Sequence, residues 1–138
     1  MALRKNMKIE LIKHVPLFAQ CSKKELAEIA SVADEIDLGE GRELTRQVSP
    51  GREFFVLVEG EADVRRNGRR VRTLGNGDFF GEIALVTDRP RTATVVARTP
   101  VRLLVITDRA FRHMLEESSA MQGKVMAALA DRLSGDDL

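Results

Sequence analysis

Two side chains of opposite charge, Glu82 and Arg91, stand out because of the stretch that surrounds them, Phe80–Val95. Gly81 allows the backbone to approach a bound group closely, and Glu82–Val86 is long enough for one helical turn. The N–H groups that open such a turn have no partners within it and can contact an anion. A guanidinium offers forked donors to a phosphate, whereas a carboxylate repels phosphate and accepts from hydroxyl groups. The stretch therefore predicts a site for a phosphate carried on a hydroxylated sugar.

The periodicity of the apolar residues changes twice along the chain and divides it into three segments. Residues 1–33 and 107–134 show helical spacing, whereas residues 34–106 form short runs separated by Gly and Pro. The candidate strands are Glu35–Leu38, Arg42–Arg46, Phe54–Val58, Ala62–Arg66, Arg69–Leu74, Thr92–Ala97 and Val101–Ile106. Short strands at this spacing are typical of sandwiches, barrels and jelly rolls. We therefore predict a single domain, residues 1–138, that is mainly β with helical flanks (α+β).

Capping residues predict where two of the helices begin. Ser22 with Glu25 three residues later is the pattern of a capping box at the start of a helix. Ser119 with Gln122 has the same pattern and predicts a last helix at about Ala120–Leu133.

The pair Asn67-Gly68 predicts a two-residue type I′ turn, because both residue types accept positive φ angles. Five arginines flank this hairpin: Arg65, Arg66, Arg69, Arg70 and Arg72. Such a cluster is interpreted most simply as a solvated edge that discourages strand addition. The alternative is a surface for an acidic partner.

The composition excludes several classes of function. The 138 residues carry a formal net charge of +1 with both signs interspersed, which argues against a nucleic-acid surface. Trp and Tyr are absent, so bases of a nucleic acid would find few aromatic side chains to stack on. The sequence contains no run of about 18 apolar residues, so no membrane segment is predicted. The single cysteine, Cys21, is consistent with a cytoplasmic protein.

Catalysis and metal binding are not expected. A cupin-type enzyme on a similar roll would place two or three His and a Glu around a metal inside the barrel. The two histidines, His14 and His113, instead fall in the helical flanks. No Ser-His-Asp or Cys-His arrangement can be assembled either. One Glu and one Arg without a metal or a base can hold a phosphodiester but cannot attack it.

The stretch Phe80–Val95, FGEIALVTDRPRTATV, resembles the phosphate-binding cassette of cyclic-nucleotide-binding domains. That family includes domains of catabolite activator protein, cyclic-nucleotide-dependent kinases and gated channels. Its pattern, Phe-Gly-Glu-(Leu/Ile)-Ala-Leu followed by Pro-Arg-(Ser/Thr/Ala)-Ala-Thr-Val, is matched by Phe80 to Leu85 and by Pro90 to Val95. The resemblance extends over essentially the whole chain. It implies an eight-stranded β-roll (double-stranded β-helix or jelly roll) with N-terminal helices, a short cassette helix and two C-terminal helices.

The resemblance also implies the ligand, cAMP or cGMP, and its contacts. Glu82 would accept from the ribose 2′-hydroxyl, Arg91 would pair with the cyclic phosphate and Gly81 would lie against the ribose. The other implied contacts are the backbone amides of Ile83, Ala84 and Thr92, and an apolar wall for the base formed by Val71 and Leu74 with Leu85 beneath. Thr92 resembles members that accept cGMP, since its hydroxyl can accept from the guanine 2-amino group. Members that respond to cAMP carry Thr there as well.

The resemblance implies a second-messenger sensor that signals by rearranging its last helix and needs no cofactor. A homodimer through that helix and an effector domain or protein are possible partners, whereas a DNA-binding domain is not expected in this chain. Two alternatives stay open: a protein-interaction domain that has lost nucleotide binding, and a Glu82–Arg91 salt bridge that only ties a loop. The loop Arg46–Arg52 departs from the family pattern, because no Gly follows Gln47.

Overall fold

The computed structural model describes residues 3–85 and 89–133. Residues 86–88 of the predicted cassette and residues 134–138 lie outside the described residues, so the predictions for them stay predictions. The helices are α1 (Lys5–Ile12), α2 (Lys23–Ser31), α3 (Asp108–Glu116) and α4 (Ser119–Leu133), with 3₁₀ helices at Pro16–Phe18 and Glu82–Leu85. The strands are β1 (Asp34–Leu38), β2 (Glu43–Thr45), β3 (Glu53–Glu59), β4 (Ala62–Arg66), β5 (Arg69–Leu74), β6 (Phe79–Phe80), β7 (Thr94–Ala97) and β8 (Val101–Thr107).

The strands form two antiparallel sheets, with the orders β1-β8-β3-β6 and β2-β7-β4-β5. The predicted mainly β protein with helical flanks and eight strands is therefore confirmed. Strand β6 was not among the seven candidate strands, because two residues give no periodicity that a sequence pattern can reveal. It exists because Phe79 and Phe80 pair with Val56 and Phe55 of β3.

Alternate residues of the central strands face two hydrophobic cores, because successive side chains of a strand point to opposite faces. In β3, Phe54 and Val56 pack with the helices, whereas Phe55 and Leu57 pack inside the roll. The core on the helical side includes Ile12, Leu17, Phe18, Ile29, Leu104, Ile106, Phe111, Met121 and Val125. The core inside the roll includes Val64, Leu74, Phe80, Ala93, Val95, Leu103 and Val105. Strands β3 and β8 thus form a wall that the roll interior and the helices share.

Two local predictions are confirmed. The Ser22 hydroxyl accepts from the Glu25 N–H at 3.2 Å, and the Glu25 carboxylate accepts from the Ser22 N–H at 2.8 Å, which completes the capping box of α2. The φ angles of Asn67 and Gly68 are +53° and +80°, as a type I′ turn requires.

The second predicted capping box, Ser119 with Gln122, is wrong. The hydroxyl of Ser118 accepts from the Met121 N–H at 3.2 Å, so Ser118 caps α4 and Ser119 is its first residue. Two adjacent serines offer the same local chemistry. The packing of the chain between α3 and α4 decides which of them takes the extended conformation of a cap.

Candidate functional site

Gly81 connects β6 to the 3₁₀ helix Glu82–Leu85 and has a φ of +81°, in the region that favours glycine. A Cβ atom added at Gly81 would collide with Nη1 of Arg91, so the missing side chain leaves room for the guanidinium. Gly51 has the same role on the other side, since a Cβ there would lie 2.5 Å from Nε of Arg91. The guanidinium of Arg91 is therefore held in a slot between two glycines that are distant in sequence.

Two contacts hold the Arg91 side chain against β3. Its Nη2 donates to the backbone carbonyl of Glu53 at 2.6 Å. Its guanidinium carbon lies 5.8 Å from the centre of the Phe55 ring, in the range of a cation–π contact. Burial lowers the pKa of Arg91, because removing water disfavours the charged form, and the carboxylate of Glu53 acts in the opposite direction. A partly desolvated cation of this kind interacts more strongly with a phosphate than a fully hydrated one.

Glu82, the first residue of the 3₁₀ helix, is fully buried, with 0% of its surface exposed, and its Oε2 atom is shielded from solvent. Among the described residues, the contacts of Arg91 are with Glu53 and Phe55 rather than with Glu82. A Glu82–Arg91 salt bridge, the alternative that the sequence left open, therefore does not tie this loop.

The predicted backbone cradle is only partly available. The N–H of Ala84 donates to the Gly81 carbonyl at 3.1 Å, which closes the 3₁₀ turn. In this conformation Ala84 therefore cannot offer its amide to a ligand. Glu82 and Ile83 open the turn, and their N–H groups have no acceptor within it.

A small cavity lies next to Arg91 in the roll interior, and it measures about 20 Å³. Its lining residues are Thr45, Val64, Phe80, Gly81, Arg91, Thr92, Ala93 and Val95. Gly81, Arg91 and Thr92, which the sequence singled out, thus meet at one cavity. That volume has room for about one water molecule, so a larger ligand has to displace side chains or extend towards solvent beside the exposed Thr92.

The three residues of the predicted apolar wall have different surroundings in the structure. Leu74 is buried inside the roll, in the same core as the cavity-lining Val64. Leu85 packs on the other side of β3 with the helices, and its contact with a base stays a prediction. Val71 is 51% exposed.

A β-bulge explains the position of Val71 and reveals a residue that the sequence reasoning missed. Val64 of β4 pairs with Arg72, but the next residue, Arg65, pairs with Arg70, so Val71 is the extra residue of the bulge. Cross-strand partners lie on the same face of a sheet, which places Arg72 on the face of Val64. The position of Arg72 could be learned only from the register of the two strands. The sequence alone suggests strict alternation, in which Val71 and not Arg72 shares the face of Val64.

Neither histidine contributes to this site, since His14 and His113 are both exposed in the helical flanks. Among the described residues no group of three or more His, Cys, Asp or Glu side chains could hold a metal ion. Within the same part of the chain, no helix is long and apolar enough to span a membrane.

Residues 35–118 match the family model described as "Cyclic nucleotide-binding domain". This match covers more than half of the chain, and the chain therefore belongs to the cyclic-nucleotide-binding domain family. The family identified from the cassette residues is confirmed.

Individual relatives agree with this assignment. The chain is 35% identical over 114 residues to a cAMP-dependent protein kinase regulatory subunit of Aspergillus niger, which covers 81% of this chain and 28% of that protein. A regulatory subunit of the same description from Mycosarcoma maydis is 35% identical over 115 residues. The chain thus spans less than a third of the length of these curated relatives.

Solved structures share the fold. The N-terminal domain of a transcriptional regulator from Streptomyces coelicolor A3(2) superimposes with a TM-score of 0.81 at 29% identity, covering 90% of both chains. The regulatory domain of Toxoplasma gondii PKA, solved with cAMP, superimposes with a TM-score of 0.74 at 24% identity. It covers 95% of this chain and 50% of that one, and at this identity the likeness shows the fold alone.

Proposed function

We propose that this domain is a sensor for a purine 3′,5′-cyclic nucleotide monophosphate, cAMP or cGMP, and that it binds the ligand without a catalytic step. The observation that carries the proposal is the slot between Gly51 and Gly81, which holds the partly desolvated Arg91, together with the buried Glu82 that follows Gly81 in the chain. Arg91 contacts the cyclic phosphate, and Glu82 accepts from the ribose 2′-hydroxyl. The relatives named as cAMP-dependent regulatory subunits support a cyclic nucleotide as the ligand class.

The register of the hairpin supports a further proposed contact, between Arg72 and the base. Arg72 lies on the face of Val64, and among the described residues no hydrogen bond or ion pair engages its side chain. A guanidinium can donate to both O6 and N7 of guanine, whereas adenine presents an amino donor in place of O6. Thr92 can accept from the guanine 2-amino group. These two residues favour cGMP, although neither excludes cAMP.

Calorimetric titration with cAMP, cGMP and cIMP tests the ligand class and separates the two base contacts. Hypoxanthine has the O6 and N7 of guanine but lacks the 2-amino group. We expect Thr92→Ala to weaken cGMP alone about fivefold, because only cGMP loses a hydrogen bond. Arg72→Leu should weaken cGMP and cIMP about fivefold and leave cAMP within about twofold.

Arg70→Leu is the matched control for the Arg72 variant. Arg70 has the same charge on the same strand but pairs with Arg65, on the face opposite to Val64. It reports any general loss of attraction between the hairpin and an anionic ligand. Equal losses for all three nucleotides in Arg72→Leu would contradict contact with the base edge. A wild-type protein that binds none of them would favour an interaction domain that has lost nucleotide binding.

Leu85 links the proposed site to the helices and supports a route for the signal. It follows Glu82 by three residues yet packs on the helical side of β3, where the helical core includes Phe18 and Phe111. Movement of the 3₁₀ helix on binding would therefore shift a side chain in the core that α3 shares. A ligand changes the position of helices in this way only if it binds one arrangement more tightly than the other.

Helix α4 is the proposed moving element. Met121 and Val125 are buried against the helical core, and Nζ of Lys124 lies 2.5 Å from Oε1 of Glu25 in α2. Gly123 weakens the first half of α4, because glycine lowers helix propensity. A homodimer through α4 and an effector protein stay predictions.

Hydrogen exchange over Ala120–Leu133, with and without saturating cyclic nucleotide, tests this output. We expect protection there to change on binding, while β3, in the centre of its sheet, keeps its slow exchange as an internal control. Unchanged exchange in α4 at saturation would mean that the domain holds its ligand without using this helix as a switch.

A further inference from the structure

The loop between β2 and β3 contains a residue in a conformation that its side chain disfavours. Val48 has a φ of +74°, and its side chain is 72% exposed. A β-branched residue rarely adopts this left-handed region, because Cβ crowds the backbone. Such a conformation persists only where the surroundings hold it in place. It occurs at the position where the family pattern has a Gly.

The strained residue is bonded directly to the backbone of Arg91. The N–H of Val48 donates to the Arg91 carbonyl at 2.8 Å, and the N–H of Arg91 donates to the Ser49 carbonyl at 2.9 Å. Both backbone groups of Arg91 are therefore engaged by this loop. An isolated bridge between Pro50 and Pro90 continues the pairing. The loop thus determines where the main chain of Arg91 lies, and hence where its guanidinium enters the roll.

The residue before Val48 anchors the loop to the hairpin tip. The Gln47 side chain donates through Nε2 to Oδ1 of Asn67 at 3.2 Å and accepts from the Asn67 N–H at 2.8 Å. The backbone N–H of Gln47 donates to the hydroxyl of Thr94 at 2.9 Å. Three hydrogen bonds therefore fix one residue between the β4–β5 turn and β7.

We propose that Gln47 is a positioning residue for Arg91: it clamps the loop to the hairpin tip and thereby holds Val48 in the left-handed conformation. Without the clamp, Val48 relaxes towards extended backbone and its N–H moves away from the Arg91 carbonyl. The Arg91 guanidinium then loses its defined approach to the phosphate. This inference rests on the proposed function for its effect on affinity, but the coupling of Gln47 to Arg91 exists in the ligand-free protein.

Gln47→Ala is expected to weaken binding of the preferred cyclic nucleotide about fivefold, because the fraction of molecules with Arg91 correctly placed falls. Adding Val48→Gly should restore the affinity to within about twofold, since glycine adopts the φ of Val48 without a clamp. The matched control is Asn76→Ala. This variant removes another hydrogen bond between a side chain and the backbone, from the Gly60 N–H to Oδ1 of Asn76 at 3.0 Å. It leaves the loop between β2 and β3 unchanged.

Amide hydrogen exchange of Val48 and Arg91, measured by NMR without ligand, gives a second readout. Gln47→Ala should accelerate exchange at both amides, and Val48→Gly should restore protection of Arg91. The proposal is overturned if Gln47→Ala leaves these amides protected, if Asn76→Ala lowers affinity equally, or if Val48→Gly restores neither readout. A wild-type protein that binds no cyclic nucleotide contradicts the proposed function, and the exchange experiment then decides the role of Gln47 alone.

Discussion

Replacing Arg91 by alanine is expected to weaken cyclic-nucleotide binding at least tenfold, with the domain still folded. A charge-assisted hydrogen bond contributes about 1.5–3 kcal/mol, and a forked guanidinium makes two of them to a phosphate. The pocket would lose this interaction without gaining a substitute. The fold loses less, because the side chain of Arg91 contributes one hydrogen bond, to the Glu53 carbonyl, and its contact with Phe55.

Calorimetry for affinity and thermal unfolding for stability separate these two effects. Arg91→Lys is the matched control: it keeps the charge but cannot donate in a fork, so its affinity should fall between those of the wild type and Arg91→Ala. Unchanged binding by Arg91→Ala would rule out the phosphate contact. Loss of the folded state in Arg91→Ala, together with a wild type that binds no nucleotide, would make Arg91 a structural residue.

Replacing Glu82 by alanine is expected to weaken binding about tenfold, and the loss should depend on the ribose 2′-hydroxyl. A buried carboxylate that accepts from a hydroxyl forms a stronger bond than a neutral acceptor does. Glu82 has 0% of its surface exposed, so little water competes for its oxygens. Glu82→Gln keeps the volume and one acceptor and should therefore show a smaller loss.

The 2′-deoxy form of the preferred nucleotide completes a cycle with the Glu82 variant. The wild type should bind the deoxy ligand about tenfold more weakly, whereas Glu82→Ala should bind both ligands alike. Two changes that remove the same contact are not additive, and that non-additivity identifies the pair. If Glu82→Ala loses equal affinity for both ligands, the carboxylate supports the loop and does not contact the sugar.

Short-range features of this protein follow from the sequence because neighbouring residues determine them. Asn67-Gly68 takes positive φ angles in any hairpin of this kind, and Ser22 with Glu25 closes its capping box within one helical turn. The placement of Gly81 before Glu82 is equally local, since the turn needs a positive φ there. The stretch Phe80–Val95 could therefore be singled out from its residue types and spacing, and its resemblance to the family pattern gave the ligand class.

The tertiary structure determines which distant residues contact the side chains of the cassette. Gly51, in the loop before β3, and the carbonyl of Glu53, the first residue of β3, contact the Arg91 guanidinium from about 40 residues away in the chain. No local pattern encodes that approach. The positive φ of Val48 is likewise a property of the fold, because the N–H of Val48 is bonded to the carbonyl of Arg91, 43 residues further along the chain.

The side of a sheet that a residue faces was also decided by tertiary structure. One extra residue at Val71 shifts the register of β5, so Arg72 rather than Val71 is the cross-strand partner of Val64. Leu85 packs in the core on the helical side, whereas Leu74 packs in the core inside the roll. Turn and cap chemistry depends on residues within one turn and can be predicted from sequence. Register, bulges and the choice of core depend on partners far along the chain, and only the folded structure determines them.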